Sequence, residues 1–284
     1  MRPPPFDYLE PTTVAEACAE LDRHRDRCAV LAGGQSLVAQ LNARLIRPDF
    51  VLSIARIPEL AAVEATDAGI RIGAAVTQRE VQRGLAGDTV PVLREALERV
   101  GHVPTRNRGT VGGSIAFADP TAELPAVLLA LGGTVVLRSA GGERTVPAGE
   151  FWLGPFRTGM RPDELLVAVS IPVPAGGVWA FEQRHFRRHA KVSVVAGTAG
   201  DGILTVAAAG LTDTAVLLPD AAARFSSCAS PSEGIAAVAA GVADLVTPNA
   251  DHYGSPAYRR RLAVAATEAA LRRVPGLAPE TEAA

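Results

Sequence analysis

Apolar positions along the chain alternate between helical and extended spacing. Val14, Cys18 and Leu21 fall on one helical face. Thr13 and Glu16 form a T-x-x-E capping box at its start, and Arg23, His24 and Arg25 close it where the helix dipole favours positive charge. A short apolar run over 28–31 reads as a buried strand. Ala32-Gly33-Gly34-Gln35-Ser36 follows, and then a helical stretch from 37 to about 45. Strands are expected over 51–54 and 69–72, the second running into Gly73-Ala74-Ala75-Val76-Thr77 and a helix from Gln78. Residues 91–100 read as a helix with Pro91 in its first turn, where proline is tolerated. A second glycine loop spans 106–115, R-N-R-G-T-V-G-G-S-I. Asp119-Pro120 is expected to cap a helix running to about 131.

Strands over 134–137 and 144–146 are joined by a turn at Gly141-Gly142, and a further strand covers 165–171. The segment 172–177, P-V-P-A-G-G, is the best linker in the chain and marks a domain boundary. Beyond it, three strands over 179–186, 192–198 and 203–209 favour an antiparallel sheet. Two helices follow, one around 231–243 and one after Ser255-Pro256. The last carries an apolar stripe of Tyr258, Leu262, Ala265 and Ala269. The tail beyond Pro275 reads as frayed.

Composition narrows the class of function. The chain has 284 residues, 48% hydrophobic and 20% charged, enough for two packed domains. A net charge of −2 leaves no footprint for nucleic acid or an anionic membrane. Lys191 is the only lysine. Cys18, Cys28 and Cys228 form no C-x-x-C pair, so the chain is not expected to hold a zinc site or an iron–sulfur cluster. Their odd number suggests a reducing, cytoplasmic setting. The first residues lack the apolar core of a signal peptide, and no apolar run reaches the roughly 20 residues of a membrane helix.

The two glycine segments are the main chemical signal. Paired glycines let backbone N–H groups converge on a diphosphate, and a following helix adds its N-terminal dipole. Ser36 and Ser114 stand just after the glycines, where a hydroxyl can donate to phosphate. A single G-G-x-S also reads as a plain tight turn; two in similar contexts weigh more. Neither matches G-x-G-x-x-G or G-x-x-x-x-G-K-[ST], so dinucleotide-fold and P-loop readings fail. His185 and His189 lack the intervening Glu of H-E-x-x-H and sit among Arg184, Arg187 and Arg188, which reads as a solvated basic stretch. His102 reads as a cap in preference to a group at the edge of a ligand. Asp119 and Glu123 suit capping and dipole roles better than an acid–base pair.

These motifs resemble a known family. Ala32 through Leu37 is similar to the first FAD loop of the medium, flavoprotein subunit of molybdenum hydroxylases, the aerobic carbon monoxide dehydrogenase and xanthine dehydrogenase type. Ile72-Gly73-Ala74 with Thr77 resembles the next motif, and 106–125, RNRGTVGGSIAFADPTAELP, the second FAD loop with its helix. The resemblance extends over 164–172 and Tyr258-Arg259-Arg260, so it covers essentially the whole chain. It implies an α+β fold: a two-lobed vanillyl-alcohol-oxidase-type (PCMH-type) FAD domain over 1–173, with lobes of about 1–56 and 57–173. A small C-terminal domain over 178–277, a three-stranded antiparallel sheet with helices, would follow. The implied FAD-binding residues are Ala32, Gly33, Gly34, Gln35, Ser36, Leu37, Thr77, Arg106, Thr110, Val111, Gly112, Gly113, Ser114, Asp119, Glu123, Leu166 and Gln183. No side chain is assigned a catalytic or metal-binding role.

The resemblance also implies partners: a molybdopterin-binding large subunit and a [2Fe-2S] small subunit, assembled as a dimer of heterotrimers. Electrons would pass from the clusters through FAD to NAD, a quinone or oxygen. Two departures stand out. Gln183 aligns where family members commonly carry a lysine that reaches the cofactor. Lys191-Val192 aligns where many have Asp and an aromatic packed on the flavin ring. An opened flavin face would suit a self-standing FAD-dependent oxidoreductase acting on a small organic substrate. A degenerate subunit that has lost FAD is the third reading, and the intact glycine segments argue against it.

Overall fold

Three strands open the chain and build a small parallel sheet. The computed structural model describes residues 2–173, 175–186, 189–247 and 254–277. The first elements are β1 (Asp7–Leu9), α1 (Val14–His24), β2 (Cys28–Leu31), α2 (Leu37–Asn42) and β3 (Phe50–Ser53), with strand order β1-β3-β2. The capping box forms as expected: Thr13 Oγ1 accepts from the Glu16 N–H at 3.1 Å, and the Glu16 carboxylate accepts from the Thr13 N–H at 3.3 Å. The buried face of α1 is Val14, Ala17, Cys18 and Leu21.

The middle of the chain carries β4 (Val63–Thr66), β5 (Gly69–Gly73), α3 (Gln78–Arg83), α4 (Leu85–Thr89), α5 (Pro91–Arg99), α6 (Val103–Arg108), α7 (Val111–Phe117) and α8 (Glu123–Ala130). It continues with β6 (Thr134–Ser139), β7 (Gly142–Pro147), α9 (Ala148–Phe151), β8 (Trp152–Gly154), β9 (Arg157–Thr158) and β10 (Leu165–Pro172). Five of these strands form an antiparallel sheet in the order β4-β5-β10-β6-β7. Its two faces are buried differently. Val136, Leu165 and Val167 pack with α1 and β3, whereas Ile70, Ile72, Val135 and Leu137 join the core beneath α5 and α8.

The last part comprises β11 (Val178–Phe186), β12 (His189–Thr198), β13 (Leu204–Ala209), β14 (Val216–Leu217), α10 (Ala221–Ser226), α11 (Pro231–Asp244) and α12 (Pro256–Arg272). The sheet order is β11-β12-β13-β14, all antiparallel. One face, with Val192, Val194 and Val206, packs with α11 and α12 residues such as Val238 and Ala266. The other, with Phe181, Val195 and Ala207, joins the core that holds α8. This explains α8, whose eight residues are all buried: it fills the space between two sheets.

Several expectations need correction. The C-terminal sheet has four strands, because the two-residue β14 adds to β13, and α10 precedes the two expected helices. Both elements are too short to carry a periodic signal. The buried stripe of α12 is Ala263, Ala266, Thr267, Ala270 and Leu271, so Ala265 and Ala269 do not share it. Alanine occurs on several sides of this helix, and only its placement on the Ala- and Val-rich sheet selects the face. Residues 106–108 of the second glycine segment are the end of the helix α6, and Gly112 and Gly113 lie inside the first turn of α7. Asp119 does not cap α8. Its carboxylate accepts from the N–H and hydroxyl of Thr121, each at 2.8 Å, and the helix begins at Glu123. Of the tail beyond Pro275 expected to be frayed, Gly276 and Leu277 are described, with the Leu277 N–H bonded to Val274 O at 3.2 Å, and the rest lies outside the described residues, as do Pro174, Arg187 and Arg188 of the linker and basic stretch. Among the described residues, no helix is long and apolar enough to cross a membrane.

Candidate functional site

The two glycine segments, far apart in sequence, meet. An alanine Cβ at Gly33 would lie 2.0 Å from the Arg108 carbonyl oxygen and 2.7 Å from Gly109 Cα. One at Gly112 would lie 2.6 Å from Ala74 Cα. These glycines let backbone pack on backbone. Gly34 serves differently. Its φ of +74° turns the chain from β2 into α2, a conformation that favours glycine. Two further hydrogen bonds tie α3 to the start of α7, from Gln78 N–H to Gly109 O at 2.8 Å and from Val111 N–H to Val76 O at 3.0 Å.

Their junction borders a cavity of about 900 Å³. Its walls come from the β2–α2 turn, α7 and the turn after it, the α5–α6 connection, and β10. The two glycine segments contribute unequally. In α7, the Gly112 N–H donates to Ala74 O at 3.2 Å, Gly113 to Thr110 Oγ1 at 3.0 Å, and Ser114 to Thr110 O at 3.1 Å. Those donors are spent within the protein, and the Ser114 side chain is what this segment offers the cavity. The N–H groups of Gly33, Gly34, Gln35, Ser36 and Leu37 have no acceptor among the described residues. Five free donors beside a cavity suit a polyanionic group.

The same cavity is lined by part of a buried polar cluster. Glu123, 8% exposed, lines the cavity from the first turn of α8. Its Oε1 accepts from Gln183 Nε2 at 2.7 Å, and the same amide donates to Ser193 Oγ at 3.0 Å. Burial raises the Glu123 pKa above the usual carboxylate value. The Gln183 hydrogen bond and the residue's own N–H oppose the rise, and the charge of Asp119 aids it. Arg99, His102 and His185 line another part of the wall. Burial, with the Arg99 charge, lowers the His185 pKa.

The expected site residues divide accordingly. Ala32 through Leu37, Thr110, Gly112, Gly113, Ser114, Asp119, Glu123 and Leu166 line the cavity. Thr77, Arg106, Val111 and Gln183 do not. The Thr77 hydroxyl is committed to a capping box with Glu80, at 2.7 and 3.1 Å. Buried Arg106 donates to Val100 O at 2.7 Å and so pins the turn that carries His102. Val111 is core, and Gln183 meets the cavity wall only by its hydrogen bond to Glu123. His102 occupies the N-cap position of α6 without a side-chain capping bond and faces the cavity, contrary to the cap reading. Val192 is fully buried in the C-terminal core and is not part of the cavity wall. The side chains of His189 and Lys191 lie outside the described residues. Gln40, Gln78, Arg99 and Met160 also line the cavity. No motif announced them, because only the fold brings them there.

Comparison with known proteins decides the family. Residues 4–174 match the family described as the FAD binding domain in molybdopterin dehydrogenase. The chain belongs to this family. FAD is accordingly its cofactor, and it is a medium-type FAD subunit of the molybdenum hydroxylases. It is 43% identical over 192 residues to caffeine dehydrogenase subunit beta of Pseudomonas sp. (strain CBB1), covering 66% of this chain and 65% of that one. It is 31% identical to the glyceraldehyde dehydrogenase medium chain of Sulfolobus acidocaldarius, covering 96% of this chain and 100% of that one. The structure is similar to a carbon monoxide dehydrogenase chain from Hydrogenophaga pseudoflava, with a TM-score of 0.90, 30% identity, and 96% and 98% of the two chains covered. The cavity fits the FAD subunit's cofactor on two counts. It offers the five free N–H groups to a diphosphate, and its volume lies within the usual range for such sites, about 300–1,000 Å³.

Proposed function

We propose that the chain relays electrons through FAD between iron–sulfur clusters on a partner subunit and a final acceptor, which is NAD, a quinone or oxygen. The observation that carries this reading is the row of unpartnered N–H groups from Gly33 to Leu37 at the edge of the cavity. These groups would hold the FAD diphosphate, with the Ser114 hydroxyl donating from the facing segment. Glu123 and Leu166 would contact the rest of the cofactor. Gln183 would position Glu123, and Arg106, Thr77 and Val111 would hold the walls in place. The flavin supplies the exchange between one- and two-electron chemistry. The protein itself binds the flavin, orients it and limits its contact with water.

Within this reading, residues 1–173 form the two-lobed PCMH-type domain, with lobes of about 1–56 and 57–173. Residues 178–277 form the C-terminal domain. The partners are a molybdopterin-binding large subunit and a [2Fe-2S] small subunit, assembled as a dimer of heterotrimers in the cytoplasm. The relatives' names describe subunits and medium chains, which supports an assembly. The self-standing oxidoreductase draws no support from Val192, which packs in the core.

The test is a visible absorbance spectrum of the full chain followed by anaerobic reduction. A flavin band bleached by the partner iron–sulfur subunit or an artificial reductant, but not by small organic substrates, is expected. Bleaching by such a substrate alone would refute the relay.

A further inference from the structure

We propose that Gln78 is a further cofactor-binding residue, whose side-chain carbonyl accepts a hydrogen bond from a hydroxyl of the sugar-like segments that flank the FAD diphosphate. This rests on FAD occupying the cavity. Gln78 opens α3, is 4% exposed and lines the cavity. Its Oε1 is buried and takes no hydrogen bond from any described residue. A buried carbonyl without a donor is costly, and such atoms are few in native proteins.

Nothing in the fold of α3 calls for an amide at this position. Thr77 and Glu80 cap the helix between them. The Gln78 backbone N–H ties α3 to the second glycine segment by donating to Gly109 O at 2.8 Å, and any residue except proline could supply it. A side chain wanted for bulk alone would be apolar, as Val81 is on the same helix.

The place of the amide narrows its partner. A Cβ on Gly109 would lie 3.4 Å from Gln78 Oε1 and 3.5 Å from Gln35 Cγ, and Gly109 Cα is an atom against which Gly33 packs. The amide therefore borders the junction that carries the free N–H groups of Gly33 to Leu37. Those groups suit the oxygens of a diphosphate, which carry no hydrogen to give. The neighbours of the diphosphate in FAD are the ribityl chain and the ribose, and each hydroxyl there has a hydrogen to donate. A row of N–H groups cannot receive it, whereas an amide oxygen can. The terminal amide torsion of glutamine is soft, so a small turn brings Oε1 to the cavity surface while the rest of the side chain stays packed.

Two measurements on the full chain test this. The first compares wild type with Gln78→Met, which keeps the length of the side chain and removes the amide. The FAD-free variant should melt about 2–5 °C above wild type, because no buried acceptor is left without a donor. Its FAD affinity, read by fluorescence titration, should fall about 5- to 100-fold, because a ligand hydroxyl is now left without an acceptor. A purely structural amide would not move the two readouts in opposite directions. The second measurement titrates both proteins with FAD analogues that each lack one hydroxyl of the ribityl chain or of the ribose. One analogue should bind wild type about 2- to 13-fold more weakly than FAD does, and that deficit should vanish in Gln78→Met.

A lower apoprotein Tm in Gln78→Met would show that the amide is bonded within the protein and would overturn the proposal. Unchanged FAD affinity in the variant would overturn it too, as would analogue deficits that are the same in both proteins. Absence of FAD binding by wild type would defeat the cofactor reading and this proposal together. Tight binding by wild type that the substitution leaves unchanged would defeat this proposal alone.

Discussion

Replacing Gly33 by alanine separates the two roles a glycine can play beside a cofactor. If Gly33 serves only to let a ligand approach, the apoprotein should tolerate the change and only FAD binding should suffer. The structure argues otherwise. The new Cβ would stand 2.0 Å from Arg108 O, with Arg108 C and Gly109 Cα both at 2.7 Å. Real Cβ contacts stay beyond 3.0 Å, so the β2–α2 turn and the α6–α7 junction must part by about 1 Å. Overpacking of this kind costs about 1–3 kcal/mol. Alanine recovers about 0.4–1 kcal/mol by restricting the unfolded chain. The difference is about 0–2.6 kcal/mol, and because both neighbours are backbone the loss lies toward the upper end, a fall of up to about 10 °C in the apoprotein's Tm for a chain of this size. Gly34→Ala is the control. Its nearest contact is 3.2 Å, to the Val38 side chain, which must give by a few tenths of an ångström, so its cost is mainly the left-handed conformation, about 1–2 kcal/mol. Thermal melts of FAD-free protein measure both. An unchanged apoprotein Tm in Gly33→Ala, combined with lost FAD affinity, would refute the view that this glycine knits the walls together.

Other changes test other parts of the structure. Arg144 grips the buried Glu164 carboxylate at 2.6 and 2.8 Å, and the Arg161 N–H adds a third bond at 2.7 Å. Burial works to raise the Glu164 pKa, but these bonds and the two arginine charges outweigh it and hold the pKa below the usual value. Arg144→Met, which strands the carboxylate, should cost about 3–5 kcal/mol in neutral denaturant unfolding. A depressed folded pKa stabilises above the unfolded pKa and loses that contribution as pH falls through the folded value, so the gap to wild type should close in acid. Glu123 has the opposite sign. Its raised folded pKa makes ionisation oppose folding, so Glu123→Gln should raise the apoprotein Tm at neutral or alkaline pH, and the gain should vanish below the unfolded carboxyl pKa. Arg273 joins Glu95 of α5 to Phe181 O and Glu182 of β11, but it is 43% exposed. Arg273→Ala should therefore cost only about 1 kcal/mol in the same unfolding assay. Ser114→Ala should leave the apoprotein Tm unchanged and weaken FAD binding by about 2- to 13-fold in a fluorescence titration, the worth of one hydrogen bond.

Local signals along the chain were sufficient to locate much of the architecture. The Thr13–Glu16 box, the apolar run Cys28–Leu31 and the strand ending at Pro172 appear where propensity and capping place them. These features depend on neighbours a few residues away, so a linear reading reaches them. The glycine segments were legible too, and the structure brings them together beside one cavity. Their division of labour was not. Whether an N–H near a glycine is free or spent depends on residues such as Ala74 and Val76, more than thirty positions away, and only the packed backbone brings those carbonyls into range.

The same limit applies to charge and burial. The sequence by itself determined the order of elements, the paired glycines, the single acidic residue at the head of α8 and the absence of cluster-binding cysteine motifs. Tertiary structure alone decided that Glu123 loses its water, that Gln183 of another sheet becomes its partner, and that Val192 turns into the core. It also decided which side of the alanine-rich α12 is buried. The physical reason is that desolvation and close packing are properties of a position in space. Helix and strand propensities are properties of a short stretch of chain, and they leave that position open.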